Sequence, residues 1–491
     1  MLVQSIADSP VYRVVNPRSI AFFGASNNIA AMGTTQLSSL RALGFPGAIY
    51  PVHPTETVVQ GLTAYPTVMD IPDVPDLAVM TLPARIICET MEACGQKGIK
   101  HAIVISGGFK ESGDEGAELE RKLVDIAGRY GIRFIGPNCI GVANPHQKLN
   151  TTFLQYEGKP GFIGMASQSG SFVTQIFNYL ARFGLGFSTA FSVGNEANID
   201  IVDCMEYLGA CPHTRVIAMY IEGIRRGAEF IRVARSIVPH KPIVAYYVGG
   251  SETGSKAGYS HTGAMAGPDV LYDGVFRQSG VIRAESVAEL FDFCAVLGRL
   301  PEPEGRGVVI QTHSGGPGAA AADACGRMGL EVPELSLETI EKLSPYMPNT
   351  GSIRNPVDIT YSKNWNDFFS DIPRVLLEEK NAAVLLAYFL MPSEMIRQSM
   401  VRLGVSQEEA GDKSREFIES LCDSFVALVR EKGKPVIGYT FRSLEEEFIR
   451  GLLERGVPVF PGPHRAVRAI HALVEYHERR KRWNTGDHDA A

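Results

Sequence analysis

The residue with the clearest chemical potential is His261, in the stretch GYSHTGAMAG (258–267). A neutral imidazole is a nucleophile near physiological pH and can form a covalent phosphoramidate. The surrounding glycines, alanines and hydroxyls favour a mobile loop with room for a phosphoryl group. No HxxxH or HExxH spacing accompanies His261, and we expect no metal ligands in this chain. A structural or merely exposed histidine is the alternative.

A nucleophilic histidine needs a partner that orients its second ring nitrogen. Glu222, in AMYIEGIRRG, directly follows a predicted strand over 215–221 and should face the carboxyl edge of its sheet. A solvated loop carboxylate is the alternative for this residue. The spacing by itself leaves both roles open.

A serine-rich loop in MASQSGSFVTQIF (165–177) ends one predicted strand and opens a helix. Hydroxyls and free N–H groups at the positive end of a helix make a phosphate site. The alternative is N-capping, for which serine is preferred. Capping needs one serine, whereas three stand here within five residues. The candidate phosphate-binding residues are Ser167, Gln168, Ser169, Gly170 and Ser171.

Two further strand-to-helix loops are rich in small residues. FFGASNNIAAMG (22–33) is similar to a dinucleotide fingerprint but lacks the GxGxxG spacing, and its backbone N–H groups can hold a pyrophosphate. NAD would need an acid at the end of the second strand, and Glu56 lies well past it; a tight turn without a ligand is the other alternative. The glycines of the second loop, THSGGPGAAAADAC (312–325), would allow either close approach of a ligand to the backbone or tight packing of the helix on its sheet.

Alternating strand and helix patterns must position these loops. Apolar strands separated by helices predict parallel sheets covered on both faces. We expect an α/β fold of three consecutive doubly wound domains, over 1–147, 148–300 and 301–491, with a linker at RLPEPEGRG (299–307) and a frayed basic tail from His477. Predicted strands include 48–52, 76–82, 101–106, 187–193, 215–221 and 242–248, and predicted helices include 33–43, 84–97 and 115–130.

Charge and cysteine content exclude several classes of function. The chain has 491 residues and a formal net charge of −7, which disfavours nucleic acid or an anionic membrane as the main partner. Its eight cysteines form no CxxC pair, which argues against a zinc site or a disulfide framework. The N-terminal residues lack a signal-peptide pattern, and no apolar stretch is long enough to span a bilayer. We therefore expect a cytoplasmic protein.

Several segments together resemble the NDP-forming acyl-CoA synthetases, relatives of succinyl-CoA synthetase, over roughly residues 10–475. The motifs that carry the resemblance are SIAFFGAS, AIYPVHP, ISGGFKESGDEGAELE, GIRFIGPNCIGVANP, SQSGSF, SVGNEANID, YIEGI, SETGSKAGYSHTGAMAG and NPVDIT. The resemblance implies a Rossmann-like CoA-binding domain followed by two flavodoxin-like domains. The second domain would be the phosphohistidine domain and the third the ligase-associated domain.

The resemblance also implies roles for single residues. His261 matches the phosphorylated histidine, Glu222 matches the glutamate that steadies it, and the loop 167–171 matches the helix start that holds phosphate. On the acyl and phosphoryl side it implies Asn195, Ser314, Gly315 and Gly316. The segments that match the family's CoA contacts contain Gly24, Ala25, Ser26, Asn27, Val52, Pro54, Leu82, Pro83, Ser106, Gly107, Gly108, Phe109 and Asn138.

The implied reaction is the reversible, ATP-driven joining of a carboxylic acid to CoA, through an acyl phosphate and a phosphohistidine at His261. No segment matches the family's ATP-grasp domain, so the resemblance is to an α-type subunit. ATP or ADP and Mg²⁺ are then expected on a separate β-type subunit of a hetero-oligomer. The alternative is a non-catalytic CoA-binding regulatory or scaffold protein, which would not need His261, Glu222 and the serine loop together.

Overall fold

The computed structural model describes residues 5–156, 159–251, 253, 267–360, 364 and 366–484. These residues form two compact units. The first contains the chain up to Leu290 apart from Arg182–Gly184, and the second contains those three residues and the chain from Phe291 onward. The first unit holds two large sheets and a two-stranded hairpin, and the second unit holds one large sheet.

The first sheet has five parallel strands in the order β2-β1-β5-β6-β7. Strands β1, β5, β6 and β7 are short apolar runs that are mostly buried, as expected for a parallel sheet, whereas the edge strand β2 is largely half-exposed. The helices 84–97 and 114–130 pack on this sheet and supply much of its core, including Ile87 and Leu123. The strands of this region, with a separate β3–β4 hairpin, are β1 Ser19–Phe23, β2 Ala48–Val52, β3 Val58–Val59, β4 Leu62–Thr63, β5 Leu77–Met80, β6 His101–Val104 and β7 Arg133–Ile135.

The second sheet has seven strands in the order β14-β13-β12-β10-β11-β8-β9. Five strands are parallel, and the short strands β8 and β9 extend the edge in antiparallel pairing. Residues on both sides of position 147 therefore contribute to this sheet. The strands are β8 Val142–Asn144, β9 Leu149–Asn150, β10 Ile163–Ser167, β11 Phe187–Ser192, β12 Val216–Ile221, β13 Ile243–Tyr247 and β14 Ile282–Ala284.

The third sheet has five parallel strands in the order β16-β15-β17-β18-β19. A cluster of phenylalanine rings packs in its core, where Phe369 contacts Phe389, Phe425 and Phe448. The strands are β15 Val308–Thr312, β16 Val357–Asp358, β17 Val384–Tyr388, β18 Val436–Thr440 and β19 Val459–Pro461. When the parallel strands of each sheet are renumbered 1 to 5 along the chain, all three sheets have the order 2-1-3-4-5. The expectation of three doubly wound sheets is therefore confirmed.

Helices connect the parallel strands, as right-handed crossovers require. Up to the third sheet the α-helices are Tyr12–Val15, Met32–Ala42, Ala84–Lys97, Asp114–Tyr130, Ser171–Thr174, Ile176–Arg182, Ile201–Ala210, Gly227–Ile237, Asp269–Ser279 and Val287–Leu297. Around the third sheet they are Gly315–Arg327, Leu337–Leu343, Ile372–Glu378, Ser393–Arg402, Gln407–Lys432, Glu447–Glu454 and Pro463–Asn484. Short 3₁₀ turns span Ile6–Asp8, Val68–Asp70, Lys110–Ser112, Pro145–Gln147 and Ser344–Tyr346, and a π-helical turn spans Asp367–Asp371.

The prediction of a frayed tail from His477 is wrong as far as Asn484, because the last helix runs to that residue. Ion pairs hold this part of the helix to the chain before β15. The guanidinium of Arg306 pairs with the carboxylate of Glu478, and that of Arg480 pairs with Glu302. Two basic residues of this part of the helix, Arg480 and Lys481, are therefore paired with the carboxylate of Glu302, which comes from elsewhere in the chain. Among the described residues no helix is long and apolar enough to cross a membrane.

Candidate active site

The predicted cofactor-binding segments meet at the carboxyl edge of the first sheet. Gly24 directly follows β1, Pro54 lies just beyond β2, Leu82 beyond β5, Ser106 beyond β6 and Asn138 beyond β7. Ligands of doubly wound folds bind at this edge, above all where the strand order reverses. In this sheet the reversal lies between β1 and β5, which are followed by the segments 24–27 and 82–83.

Close packing of the chain shapes the loop after β1. Gly24 has φ +90°, and a Cβ there would lie 2.4 Å from the Oγ1 of Thr81, so only glycine fits. The side chain of Asn27 is used within the protein, because its Nδ2 donates to the carbonyl of Val58 at 2.9 Å and its Oδ1 accepts from the N–H of Gln60 at 2.9 Å. The groups left for a ligand in this loop are therefore mainly backbone groups.

A carboxylate that sequence reasoning missed organises the loop after β6. Oε1 of Glu111 accepts hydrogen bonds from the backbone N–H groups of Gly108 at 2.6 Å and Phe109 at 3.1 Å. Burial on its own would raise the pKa of Glu111, but these bonds and one from Asn195 outweigh it and lower the pKa. The carboxylate therefore stays ionised and fixes the glycine loop. Its only signal in the sequence was its place in the motif ISGGFKESG.

Asn195 joins the loop after β6 to the turn after β11. Its Nδ2 donates to the carboxylates of Glu111 at 2.6 Å and Glu120 at 2.8 Å. Its Oδ1 accepts from the Nδ2 of Asn138 at 3.3 Å. The side chain is buried, and its amide is thus engaged by protein groups on both sides. Two predicted site residues, Asn138 and Asn195, are in this way brought into direct contact.

Gln168 holds the turn that carries Glu222. Its Oε1 accepts from the backbone N–H groups of Glu222 at 2.5 Å and Gly223 at 3.0 Å. Its Nε2 donates to the carbonyl of Gly223 at 2.8 Å and to the carboxylate of Glu196 at 2.7 Å. All the polar atoms of this buried amide are bonded within the protein, so Gln168 positions Glu222 rather than offering its own side chain to a ligand.

Glu196 is a second carboxyl group beside this turn, and sequence reasoning did not single it out. It is 6 % exposed and accepts from the Nε2 of Gln168 and from the N–H of Ile201. Burial raises the pKa of Glu196 to about 7, although these two hydrogen bonds and the charge of Arg225 oppose the rise. Its backbone has φ +54°, which is uncommon for a residue with a side chain. Such a conformation persists only where its surroundings enforce it.

A cavity of about 130 Å³ lies at this junction of the loops. Two cationic side chains that sequence reasoning also missed, Lys110 and Arg225, stand in its wall. Both belong to segments that carried the family resemblance or adjoin one, but nothing in their spacing distinguished them from ordinary surface charges. The full lining consists of Lys110, Gln168, Gly194, Asn195, Glu196, Glu222, Gly223, Ile224, Arg225 and Tyr272.

The serine loop has a specific internal geometry. Ser167 is buried, and its Oγ donates to the carbonyl of Ser169 at 2.6 Å, while the Oγ atoms of Ser169 and Ser171 lie 3.2 Å apart. The N-cap position of the following helix is Gly170, without a side-chain capping bond. Simple N-capping by serine is therefore not what this loop does. A Cβ at Gly170 would lie 2.8 Å from the Cγ2 of Ile140, so this glycine is needed for packing.

The corresponding loop of the third sheet lies in the second unit. Its Ser314 is the N-cap of the helix Gly315–Arg327 but makes no side-chain capping bond. A Cβ at Gly318 would lie 2.9 Å from the Cγ2 of Thr312, which supports the packing interpretation of that glycine. Gly315 lies beside Asp358, because a Cβ added at Gly315 would be 3.6 Å from the Oδ2 of Asp358.

His261 lies outside the described residues, so its role stays a prediction. Among the residues that the structure does describe, no group of three or more His, Cys, Asp or Glu side chains is arranged to hold a metal ion. What the described part contains is a cavity lined by two carboxylates, two cations and a fully bonded amide. This set can bind and orient an anionic group and can hold a proton on Glu196 near neutral pH.

Comparison with protein families gives two matches. A family described as "CoA binding domain" matches residues 18–145. A family described as "Succinyl-CoA ligase like flavodoxin domain" matches residues 160–297. The two matched ranges cover the first sheet and nearly all of the second.

Individual relatives match nearly the whole chain. The alpha subunit of the ADP-forming acetate–CoA ligase II of Pyrococcus furiosus is 37% identical over 463 residues, which cover 94% of this chain and 96% of that one. The ADP-forming acetate–CoA ligase I of Archaeoglobus fulgidus is 38% identical over 465 residues, which cover 94% of this chain but 63% of that longer protein. A solved structure of the dinucleotide forming acetyl-coenzyme A synthetase 1 of Ca. Korarchaeum cryptofilum, in complex with phosphate and ADP, matches with a TM-score of 0.85 and 31% identity over 97% of this chain and 98% of that chain.

Proposed function

The chain belongs to the family of ADP-forming acyl-CoA ligases, and on that premise we propose that it is the α-type subunit of such an enzyme. The proposed reaction is acid + CoA + ATP ⇌ acyl-CoA + ADP + phosphate. The observation that carries it is the cavity where the bonded amide of Gln168 holds the backbone of Glu222 beside Glu196 and two cations. A protein that only bound CoA would have no need for this arrangement.

CoA is proposed to lie along the carboxyl edge of the first sheet. The strand order reverses there, and the loop after β1 offers mainly backbone groups to a ligand. The residues proposed to hold CoA are those of the strand-end segments described above. When bound, CoA would supply the thiol that acyl-CoA carries as its thioester, and the chain's own part is to fix the loop that faces it through the carboxylate of Glu111.

The proposed phosphoryl chemistry has two steps on this subunit. An oxygen of inorganic phosphate attacks the thioester carbonyl, the C–S bond breaks, and the CoA thiol leaves with an acyl phosphate as the other product. A ring nitrogen of His261 then attacks phosphorus, the P–O bond to the acyl group breaks, and the acid leaves as a carboxylate. Glu222 is proposed to accept a hydrogen bond from the other ring nitrogen and so stabilise the charged imidazole. The loop 167–171 is proposed to receive the phosphoryl group.

Completion of the cycle is proposed to need a separate ATP-grasp β-type subunit, which binds ADP or ATP with Mg²⁺. Two relatives that match this chain along almost their full length are named alpha subunits. The longer Archaeoglobus relative has over a third of its length outside the match. These observations support a hetero-oligomer.

The proposed domain division is 1–147, 148–300 and 301–491, with Ser314, Gly315 and Gly316 of the last domain acting on the acyl and phosphoryl side. The proposed location is the cytoplasm. All eight cysteines are buried free thiols, and a reducing compartment suits that state.

The experiment that tests the proposal is phosphoryl labelling of the chain together with its β-type partner. The pair is incubated with radiolabelled ATP and Mg²⁺, and acid-labile, base-stable label on this chain is measured. Wild type should label, while His261→Ala should not, because a phosphoramidate can form only on the imidazole. Equal labelling of both proteins would place the carrier elsewhere. No label in wild type, with CoA binding intact, would favour the non-catalytic CoA-binding alternative.

A further inference from the structure

Two consecutive arginines in the turn after β12 have opposite electrostatic surroundings. The guanidinium of Arg226 is neutralised by three carboxylates, those of Asp200, Asp203 and Glu229. The guanidinium of Arg225 donates only to backbone carbonyl oxygens among the described residues, those of Glu196 at 2.8 Å and Asn195 at 2.7 Å. Arg226 is thus part of a closed ion-pair network, whereas Arg225 keeps its charge and further N–H donors for another acceptor.

Lys110, from the loop after β6, approaches the same point from the first sheet. Its Nζ donates to the carbonyl of Asn195 at 2.5 Å, the same oxygen that Arg225 contacts, while a carboxylate oxygen of Glu120 lies 4.0 Å away. The two cationic groups are therefore close neighbours. Burial and the charge of Arg225 lower the pKa of Lys110, against the opposing influence of Glu120, Glu196 and Glu111. Two like charges held together in a half-buried site favour an anion between them.

Both cations line the cavity that also contains Glu222 and Glu196. A phosphoryl group would enter this cavity against the charge of at least one carboxylate, and in a site of reduced dielectric that repulsion is stronger than in water. A cationic wall is needed to offset it. Arginine presents a planar fork of N–H donors that suits phosphate oxygens, and lysine presents a compact charge.

We propose that Lys110 and Arg225 bind the phosphoryl group in this cavity, as residues that contact the transferred group directly. The inference deepens the proposed function and rests on it for the phosphoryl chemistry. The ligand class is a phosphoryl oxyanion, supplied either as inorganic phosphate or as the phosphoryl end of an acyl phosphate. The competing explanation is that both cations serve only to clamp the turn at Asn195 and Glu196, whose strained backbone they hold by its carbonyls.

The test measures the affinity of the full-length chain for inorganic phosphate by equilibrium dialysis. Lys110→Gln and Arg225→Gln should each raise the Kd about tenfold, since each removes a charge-assisted contact. Arg232→Gln is the matched control: it removes the same charge from an exposed position on the next helix, and its Kd should stay within about twofold of wild type. Wild-type affinity retained in both Lys110→Gln and Arg225→Gln would overturn the proposal, as would no measurable phosphate binding by wild type.

Arg225→Lys separates anion binding from clamping. Lysine keeps the charge but lacks the planar fork of N–H donors with which the guanidinium reaches both carbonyl oxygens. The proposal expects Arg225→Lys to recover most of the phosphate affinity that Arg225→Gln loses. A Kd for Arg225→Lys as weak as that for Arg225→Gln would assign the residue to the clamp and overturn the proposal. CoA affinity, measured on the same samples, should be unchanged and serves as the check that the first sheet is folded.

Two further arms identify the ligand and separate this inference from the proposed function. Acetyl phosphate should compete with bound phosphate, whereas acetate should not; displacement by acetate at similar concentrations would make this a carboxylate site and overturn the proposal.

The labelling of His261 with the partner subunit is scored independently. Labelling without any effect of Lys110→Gln or Arg225→Gln on phosphate affinity would reject only the present inference. Loss of phosphate affinity in these variants without labelling of His261 would reject the proposed function and keep the anion site.

Discussion

The loops at 167–171 and 312–316 follow the first parallel strand of the second and third sheets, β10 and β15, and share one local design. In each, the hydroxyl of the last strand residue turns inward and donates to a carbonyl two residues on, Ser167 to Ser169 at 2.6 Å and Thr312 to Ser314 at 2.8 Å. A helix then starts at Ser171 or at Gly315. The similar sequences SQSGS and THSGG therefore produce the same turn.

The second position of the two loops makes the difference. Gln168 bonds the backbone of Glu222 and Gly223 and the carboxylate of Glu196. The ring of His313 instead stacks on Phe368 with 3.6 Å between ring centroids. Burial lowers the pKa of His313 to about 4, so the imidazole is neutral at physiological pH. The same turn thus places Gln168 beside a charged cavity and His313 against an aromatic core. The residues around each turn, rather than the turn itself, determine what its second side chain does.

The largest expected effect comes from Gln168→Ala. It leaves two backbone N–H groups without their acceptor and removes one of the two hydrogen bonds to the buried carboxyl group of Glu196. This should lower the free energy of unfolding by about 3 kcal/mol and turnover about a hundredfold. His313→Ala, the change at the matching position, should lower the stability through a cavity but leave phosphate affinity unchanged. Urea unfolding and phosphate binding by the full chain check both variants, and turnover is measured with the partner subunit present. Equal losses of phosphate affinity in Gln168→Ala and His313→Ala would contradict the claim that only the first loop adjoins a phosphate site.

The pH dependence of stability should differ in sign between Glu196, which is bonded to Gln168 of the first loop, and His313 of the second loop. Folding raises the pKa of Glu196 from 4.5 to about 7, so between these values the folded chain holds a proton that the unfolded chain has lost. This group therefore makes stability fall as pH rises across that window, on the order of 3 kcal/mol in total. Glu196→Gln should abolish this slope while shifting stability by a constant amount. The measurement is the difference in urea unfolding between variant and wild type at pH 5, 6, 7 and 8.

His313 should contribute the opposite slope. Its pKa falls from 6.5 to about 4 on folding, so between these values the unfolded chain holds a proton that the folded chain has not bound. Stability from this group is lost as pH falls, by about 2 kcal/mol at pH 5 relative to pH 8. His313→Phe should keep the stack on Phe368 and remove the slope. Slopes of the same sign at Glu196 and His313 would contradict the contrast between the two sites.

The smallest expected effects test whether the two turns are equivalent in stability. Ser167→Ala and Thr312→Val each remove one hydroxyl that donates to a carbonyl, and each should lower the free energy of unfolding by about 1 kcal/mol. Ser171→Ala, at an exposed serine of the same loop, serves as the control and should cost less. Urea unfolding measures all three. A difference of more than about 1 kcal/mol between Ser167→Ala and Thr312→Val would show that the two turns are not equivalent.

Much of the fold was predictable from the sequence, since a strand buried on both faces is a continuous apolar run bounded by glycine or polar residues. The strand 48–52 and the helix 84–97 have the predicted bounds. The short strands β8 and β9 were missed because two- and three-residue antiparallel pairs have no pattern of their own. The anchored end of the last helix was missed because its carboxylate partner Glu302 is far away in sequence.

By itself the sequence determined that the chain forms three doubly wound sheets, to which family it belongs, and at which strand-end loops ligands must lie. These properties follow from local patterns and from the rule that the carboxyl ends of parallel strands lie at the same edge of a sheet. Only the tertiary structure decided what single side chains do there. Gln168 and Glu222 are 54 positions apart, and Glu111 and Asn195 are 84 apart. No local pattern shows which of two adjacent arginines is neutralised. Hydrogen bonds and charges act over a few ångströms in space, and folding alone brings such distant residues within that range.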